Sequence, residues 1–217
     1  VSACTAAGEA RGRPGIDAGD WAQNPDCQLA GLETAQILAD LQVDLDCLLA
    51  GILYRAVREQ RLSLEEVDAA FGTPVAELIR GVLRMAAIGE LPLQTNDPVL
   101  GQAHGQKDNI RKMLIAMVDD VRVALIKLAE RTCAIRAVKE DEQRRRQVGQ
   151  EVFDVYAPLA HRLGIGHLKW ELEDLSFRYI YPDAYRKIAR LLDGKRLERD
   201  QFIQQVKEDL TEVLRNA

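Results

Sequence analysis

Four places in this sequence gather side chains that could hold charge, bind an anion or move a proton. Tyr54-Arg55 stands one helical turn before Arg58-Glu59, Lys127 stands three and four residues before Glu130 and Arg131, and His161-Arg162 precedes Leu163-Gly164. The fourth is the segment 186–199, in which Arg186, Lys187, Arg190, Lys195, Arg196 and Arg199 outweigh Asp193 and Glu198. On one helical face Lys127, Glu130 and Arg131 could hold an anionic ligand, although a surface ion pair is the simpler reading. His161 lies near an expected helix end, where a partly positive imidazole complements the dipole, so it reads as structural. The basic segment offers local phosphate contacts but has no series of aromatics for base stacking. Arg144-Arg145-Arg146 follows the acidic KEDE run and reads as a solvated helix start.

Other chemistries are absent from the pattern. The chain has 4 cysteines without a CxxC pair and 3 histidines, none in an HExxH arrangement or followed by Asp. Free thiols in a reducing compartment are the expectation. Gly164-Ile165-Gly166 lacks the strand and the further glycines of a dinucleotide loop, and reads as a helix cap with a turn.

The elements that would position these groups are helical throughout. The first 28 residues, rich in Gly, Pro and small side chains, are expected to be loop or flexible. Leucine spacing then predicts helices over 29–42 and 45–59, the first with a stripe of Leu29, Leu32, Leu38 and Leu41. Ser63 and Glu66 form a capping box opening a short helix to Phe71. Gly72-Thr73-Pro74 supplies a stop, an N-cap and a first-turn proline for a helix to Ile88. Residues 89–105 read as a long loop, 108–118 as a helix, and 120–137 as a central buried helix, since its Val121-Arg122-Val123 alternation has no partner strand. A helix that tolerates or bends at Pro158 and ends at Gly164 follows, then a short one through Leu168 and Leu175, one from Pro182 to Leu192, and a last one over 202–214.

With 217 residues, 47% hydrophobic, 29% charged and 5% aromatic, the chain is long enough for a sizeable core and unlike a disordered one. Its net charge of −5 excludes a global pull toward nucleic acid or anionic membrane. No apolar run approaches the roughly 18 residues of a spanning helix. A cytoplasmic protein that does not meet the membrane is the expectation.

Two long strings, NIRKMLIAMVDDVRVALIKLAERTCAIR and YAPLAHRLGIGHLKWELEDLSFRYIYPDAYRKIARLL, resemble the RelA/SpoT family of stringent-response enzymes, with similarity over about 29–215. The resemblance implies an all-α, HD-domain-like helical bundle at 29–147, followed by connecting helices at 148–217 that lead into a synthetase domain expected beyond Ala217. Active family members resemble manganese-dependent phosphohydrolases that remove the 3′-diphosphate of ppGpp. Their ligands are a His, a His-Asp pair and the Asp of an ADRxxN segment, with an acidic pair to activate water.

The positions that match here are Ala30 for the first His, Tyr54-Arg55 for the pair, Arg58-Glu59 for the acidic pair, Glu130 for the Asp and Ala134 for the Asn. The resemblance thus implies a degenerate hydrolase without catalytic or metal-binding residues and with no cofactor of its own, and the parent would be a magnesium-dependent GTP diphosphokinase acting with ribosome and tRNA. The first expectation is a silent domain that regulates the adjacent synthetase domain. The alternatives are a sensor that binds guanine nucleotide through Arg55, Arg58, Lys127 and Arg131, and a residual manganese-dependent hydrolase.

Overall fold

The computed structural model describes residues 1–15, 26–89, 120–138, 142–192 and 203–207, and every regular element among them is helical. Expectations for the loop 89–105, the helix 108–118 and residues 193–202 and 208–217 lie outside the described residues, apart from Gly89, which closes a helix. The helices are α1 (Ser2–Arg11), α2 (Cys27–Asp40), α3 (Leu45–Arg58), α4 (Leu64–Phe71), α5 (Thr73–Gly89) and α6 (Val121–Ala137). There follow α7 (Glu142–Glu151), a π-helical turn (Val152–Tyr156), α8 (Ala157–Arg162) and α9 (Gly166–Ile180). Residues 182–192 and 203–207 are also helical.

Local chemistry sets most boundaries. Asp26 accepts from the amides of Gln28 and Leu29, and Asp44 from that of Cys47 at 2.9 Å, so each carboxylate caps an otherwise unpaired helix start. The Ser63–Glu66 capping box is complete in both directions, at 2.8 and 3.1 Å. Gly164, at φ +73°, closes α8 as expected, with its own amide on His161 O and that of Ile165 on Ala160 O. Pro158 has no amide to give Asp154, and its ring would crowd that carbonyl. The helix answers by widening just before it, and Ala157 donates to Val152 five residues back.

Helices α2 and α3 form a tight antiparallel pair, onto which α1, α5 and α6 pack, while α4 packs against α5. The second group, α7 to α9, meets α6 through α9, the π-helical turn and α7. The expected flexible start is corrected here. Residues 2–11 form α1, whose small face of Ala3, Ala7 and Ala10 is wholly buried against α2 and α3. Small residues read as loop formers alone, but on a helix they permit close docking. The leucine stripe of α2 is corrected as well: Leu29 and Leu32 are exposed, and the buried face is Gly31, Thr34, Ile37 and Leu38. The short helix expected around Leu168–Leu175 is the 15-residue α9.

Gly31 decides how close α2 comes to α3, because a β-carbon there would collide with the Ile52 carbonyl, a backbone atom that cannot rotate away. Gly31→Ala should therefore lower stability by about 3 kcal/mol in urea unfolding, the upper end for overpacking, despite alanine's better helix propensity.

Candidate functional site

The middle of helix α6 is enclosed on all sides, with every residue from Ile126 to Ile135 buried. Its charged residues are consequently forced to find partners inside the protein. Lys127 is fully buried and its ammonium lies 2.9 Å from Glu130 Oε2. Arg131 Nε stands 3.0 Å from the same oxygen, and Arg58 of α3 approaches Glu130 Oε1 at 3.9 Å. One carboxylate thus serves three cations. The expected surface pair of Lys127, Glu130 and Arg131 is corrected to a buried cluster.

Aromatic faces complete the cage. The Tyr54 ring lies 5.7 Å from the Lys127 ammonium, and the Tyr156 ring lies 5.7 Å from the Arg131 guanidinium. Alongside, Arg55 donates to Glu59 at 2.5 Å, one helical turn on, and Arg61 donates to the other Glu59 oxygen at 2.6 Å. Arg61 also reaches the carbonyls of Arg11 and Arg13 at 2.9 and 2.7 Å, tying the end of α1 to the cleft. Arg61 and Tyr156 escaped the sequence reading. Arg61 sits in the turn after α3, beside the positive-φ Gln60, where no period marks a partner. Tyr156 reads as an ordinary core aromatic.

The structure brings together Ala30 of α2, Tyr54 and Arg55 of α3, and Glu130 and Ala134 of α6, all lining one small cavity. Thr34 and Cys133 line it too. Its volume is about 20 Å³, room for about one water. Arg58, Glu59, Lys127 and Arg131 belong to the adjoining charge network. The expected helix-end role of His161 fits its place in the last turn of α8, exposed to solvent.

Residues 13–166 match the HD domain family. The chain belongs to that family, in its RelA/SpoT branch. It is 44% identical over 186 residues to the GTP pyrophosphokinase of Escherichia coli strain K12, covering 84% of this chain and 25% of the relative. The same enzyme name in Photobacterium angustum stands at 42% identity, with 85% and 25% covered. The guanosine-3′,5′-bis(diphosphate) 3′-pyrophosphohydrolase of Vibrio cholerae stands at 39%, with 81% and 24% covered. The chain therefore spans about a quarter of the length of these relatives. Among the described residues no helix is long and apolar enough to cross a membrane.

The manganese that the family resemblance implies for active relatives does not fit this RelA/SpoT-type HD domain. A divalent ion needs several converging lone-pair donors. Ala30 and Ala134 offer none from their side chains, Arg55 brings a positive charge, and both oxygens of Glu130 face cations. Among the described residues no group of three or more His, Cys, Asp or Glu could hold a metal.

Burial pulls Lys127 from its ordinary 10.5 down to about 8, helped by Arg131 and resisted by Glu130. The folded state thus releases this proton first, and between about pH 8 and 10.5 the unfolded chain holds more protons. The contribution of Lys127 to stability must rise with pH through that window. Urea midpoints should show the wild type gaining on Lys127→Met from pH 8 to 10, with a flat difference below pH 7. Glu130→Gln, which strips three buried cations of their shared anion, should cost about 3–5 kcal/mol in the same measurement.

Proposed function

We propose that this chain is a catalytically silent HD domain that regulates an adjacent (p)ppGpp synthetase domain within a longer protein. The observation that carries the reading is the occupancy of the cleft by charge. Where a hydrolase of this family would gather ligands around a cation, the protein places Arg58, Lys127 and Arg131 around Glu130. A bound divalent ion would meet that positive charge directly, and without it no water is activated there. Glu59, the carboxylate left from the expected acidic pair, is held between Arg55 and Arg61 and is poorly placed to act as a base.

The partners of this reading are those that the family resemblance implies. Curated proteins named GTP pyrophosphokinase are matched over only a quarter of their length. In the full-length protein, the transfer of pyrophosphate to GTP or GDP, its magnesium requirement and any ribosome and tRNA contacts would belong to the remainder. The HD region would act on the synthetase through the surfaces of residues 148–217, the connecting helices of this reading. A sensor that binds guanine nucleotide through Arg55, Arg58, Lys127 and Arg131 has less support. Lys127 is wholly buried, and the cavity beside it admits about one water.

Residual hydrolysis, suggested by the relative named as a pyrophosphohydrolase, is the reading against which the proposal is tested. Incubated with ppGpp and manganese, the protein should release no GDP, and neither manganese nor a chelator should move its thermal midpoint. Manganese-dependent GDP release would overturn the proposal.

A further inference from the structure

A second concave surface lies away from the cleft residues. Helices α7 and α9, the end of α6 and residues 182–192 enclose a groove of about 950 Å³. That is the size of a small-molecule site, not of a packing fault. Five cations line it and all five are arginines: Arg136, Arg145, Arg178, Arg186 and Arg190. Arginine rather than lysine at every such position favours planar, two-pronged recognition of phosphate or carboxylate oxygens.

The carboxylates of the groove are already engaged. Glu171 pairs with Arg136, which reaches its second oxygen at 2.7 Å. Asp174 accepts from the Tyr185 hydroxyl at 3.2 Å, and Glu142 pairs with Arg146 at 3.3 Å. Arg186 pairs with Asp183 at 2.6 Å, an exposed pair of the kind that holds weakly. Arg145, Arg178 and Arg190 make no hydrogen bond or ion pair with a described residue, and they come from α7, α9 and residues 182–192, so three elements converge with positive charge. Tyr179 and Tyr185 supply aromatic surface in the same groove.

We propose that this groove binds a small ligand carrying two or more phosphate groups, held by Arg145, Arg178 and Arg190. Three arginines drawn from three elements suit a chain of phosphates better than a single one, and the two tyrosines offer a face for a base. Occupancy would pin residues 182–192 against α7 and α9.

The test is isothermal titration of the whole chain with inorganic pyrophosphate, GTP and guanosine. Pyrophosphate and GTP should bind with dissociation constants below about 1 mM, while guanosine should not. Tighter binding of GTP than of pyrophosphate would assign a nucleoside to the tyrosines, and equal binding would leave phosphate as the whole recognition element. The exposed pair of substitutions Arg178→Ala and Arg190→Ala together should weaken binding at least about tenfold with an unchanged melting curve. The proposal falls if neither phosphate ligand binds, if guanosine binds as well as GTP, if the double variant binds like wild type, or if an acidic peptide displaces pyrophosphate.

Discussion

Much of this structure depends on one carboxylate. Helix α6 is buried through its middle, from Ile126 to Ile135, and carries a lysine and an arginine into the interior, and Arg58 adds a third positive charge from α3. Without Glu130 between them, the centre of the bundle would be a knot of like charges in a medium that screens them poorly. Tyr54 and Tyr156 share that burden by presenting ring faces to the same cations. The arrangement has the topology of a metal centre with its polarity inverted, an anion in the middle and cations as the shell.

The second constraint is geometric. Gly31 lets the α2 backbone rest on that of α3, and the shared cavity shrinks to the size of a water. Close helices leave no slack for long side chains at positions 30 and 134, both alanine here. Loss of donors and lack of volume thus go together: the alanines offer no ligands, and the close-set helices leave little of the space that a ligand sphere would need.

How legible was this in the residues? Caps and breakers were readable, because Ser63-Glu66, Gly72 and Gly164 act through their own backbone neighbours. The proline at 158 announced a disturbance, though not that the helix would absorb it by widening rather than bending. The amphipathic stripe of α2 misled, since its exposed leucines are more hydrophobic than the glycine and threonine that face the core. The convergence of Ala30, Tyr54, Arg55, Glu130 and Ala134 came from a family resemblance, and no spacing rule would have joined residues a hundred positions apart. Burial of Lys127 was likewise invisible, because a helix enclosed on every side has no polar face to betray it.

The clamp made by Arg61 reaches beyond the cleft. The recognisable HD region begins at residue 13, yet α1 lies before it and supplies the alanine face that covers α2 and α3. A shortened protein cut at the family boundary would lose that cover, the Arg11 carbonyl that Arg61 holds and the Ala7 carbonyl that the Cys27 thiol faces. Arg61 also shares Glu59 with Arg55, so a trimmed N-terminus would be felt in the cleft wall as well as at the surface. The family match and the packed helical body thus begin at different residues, and deletion mapping should follow the packing.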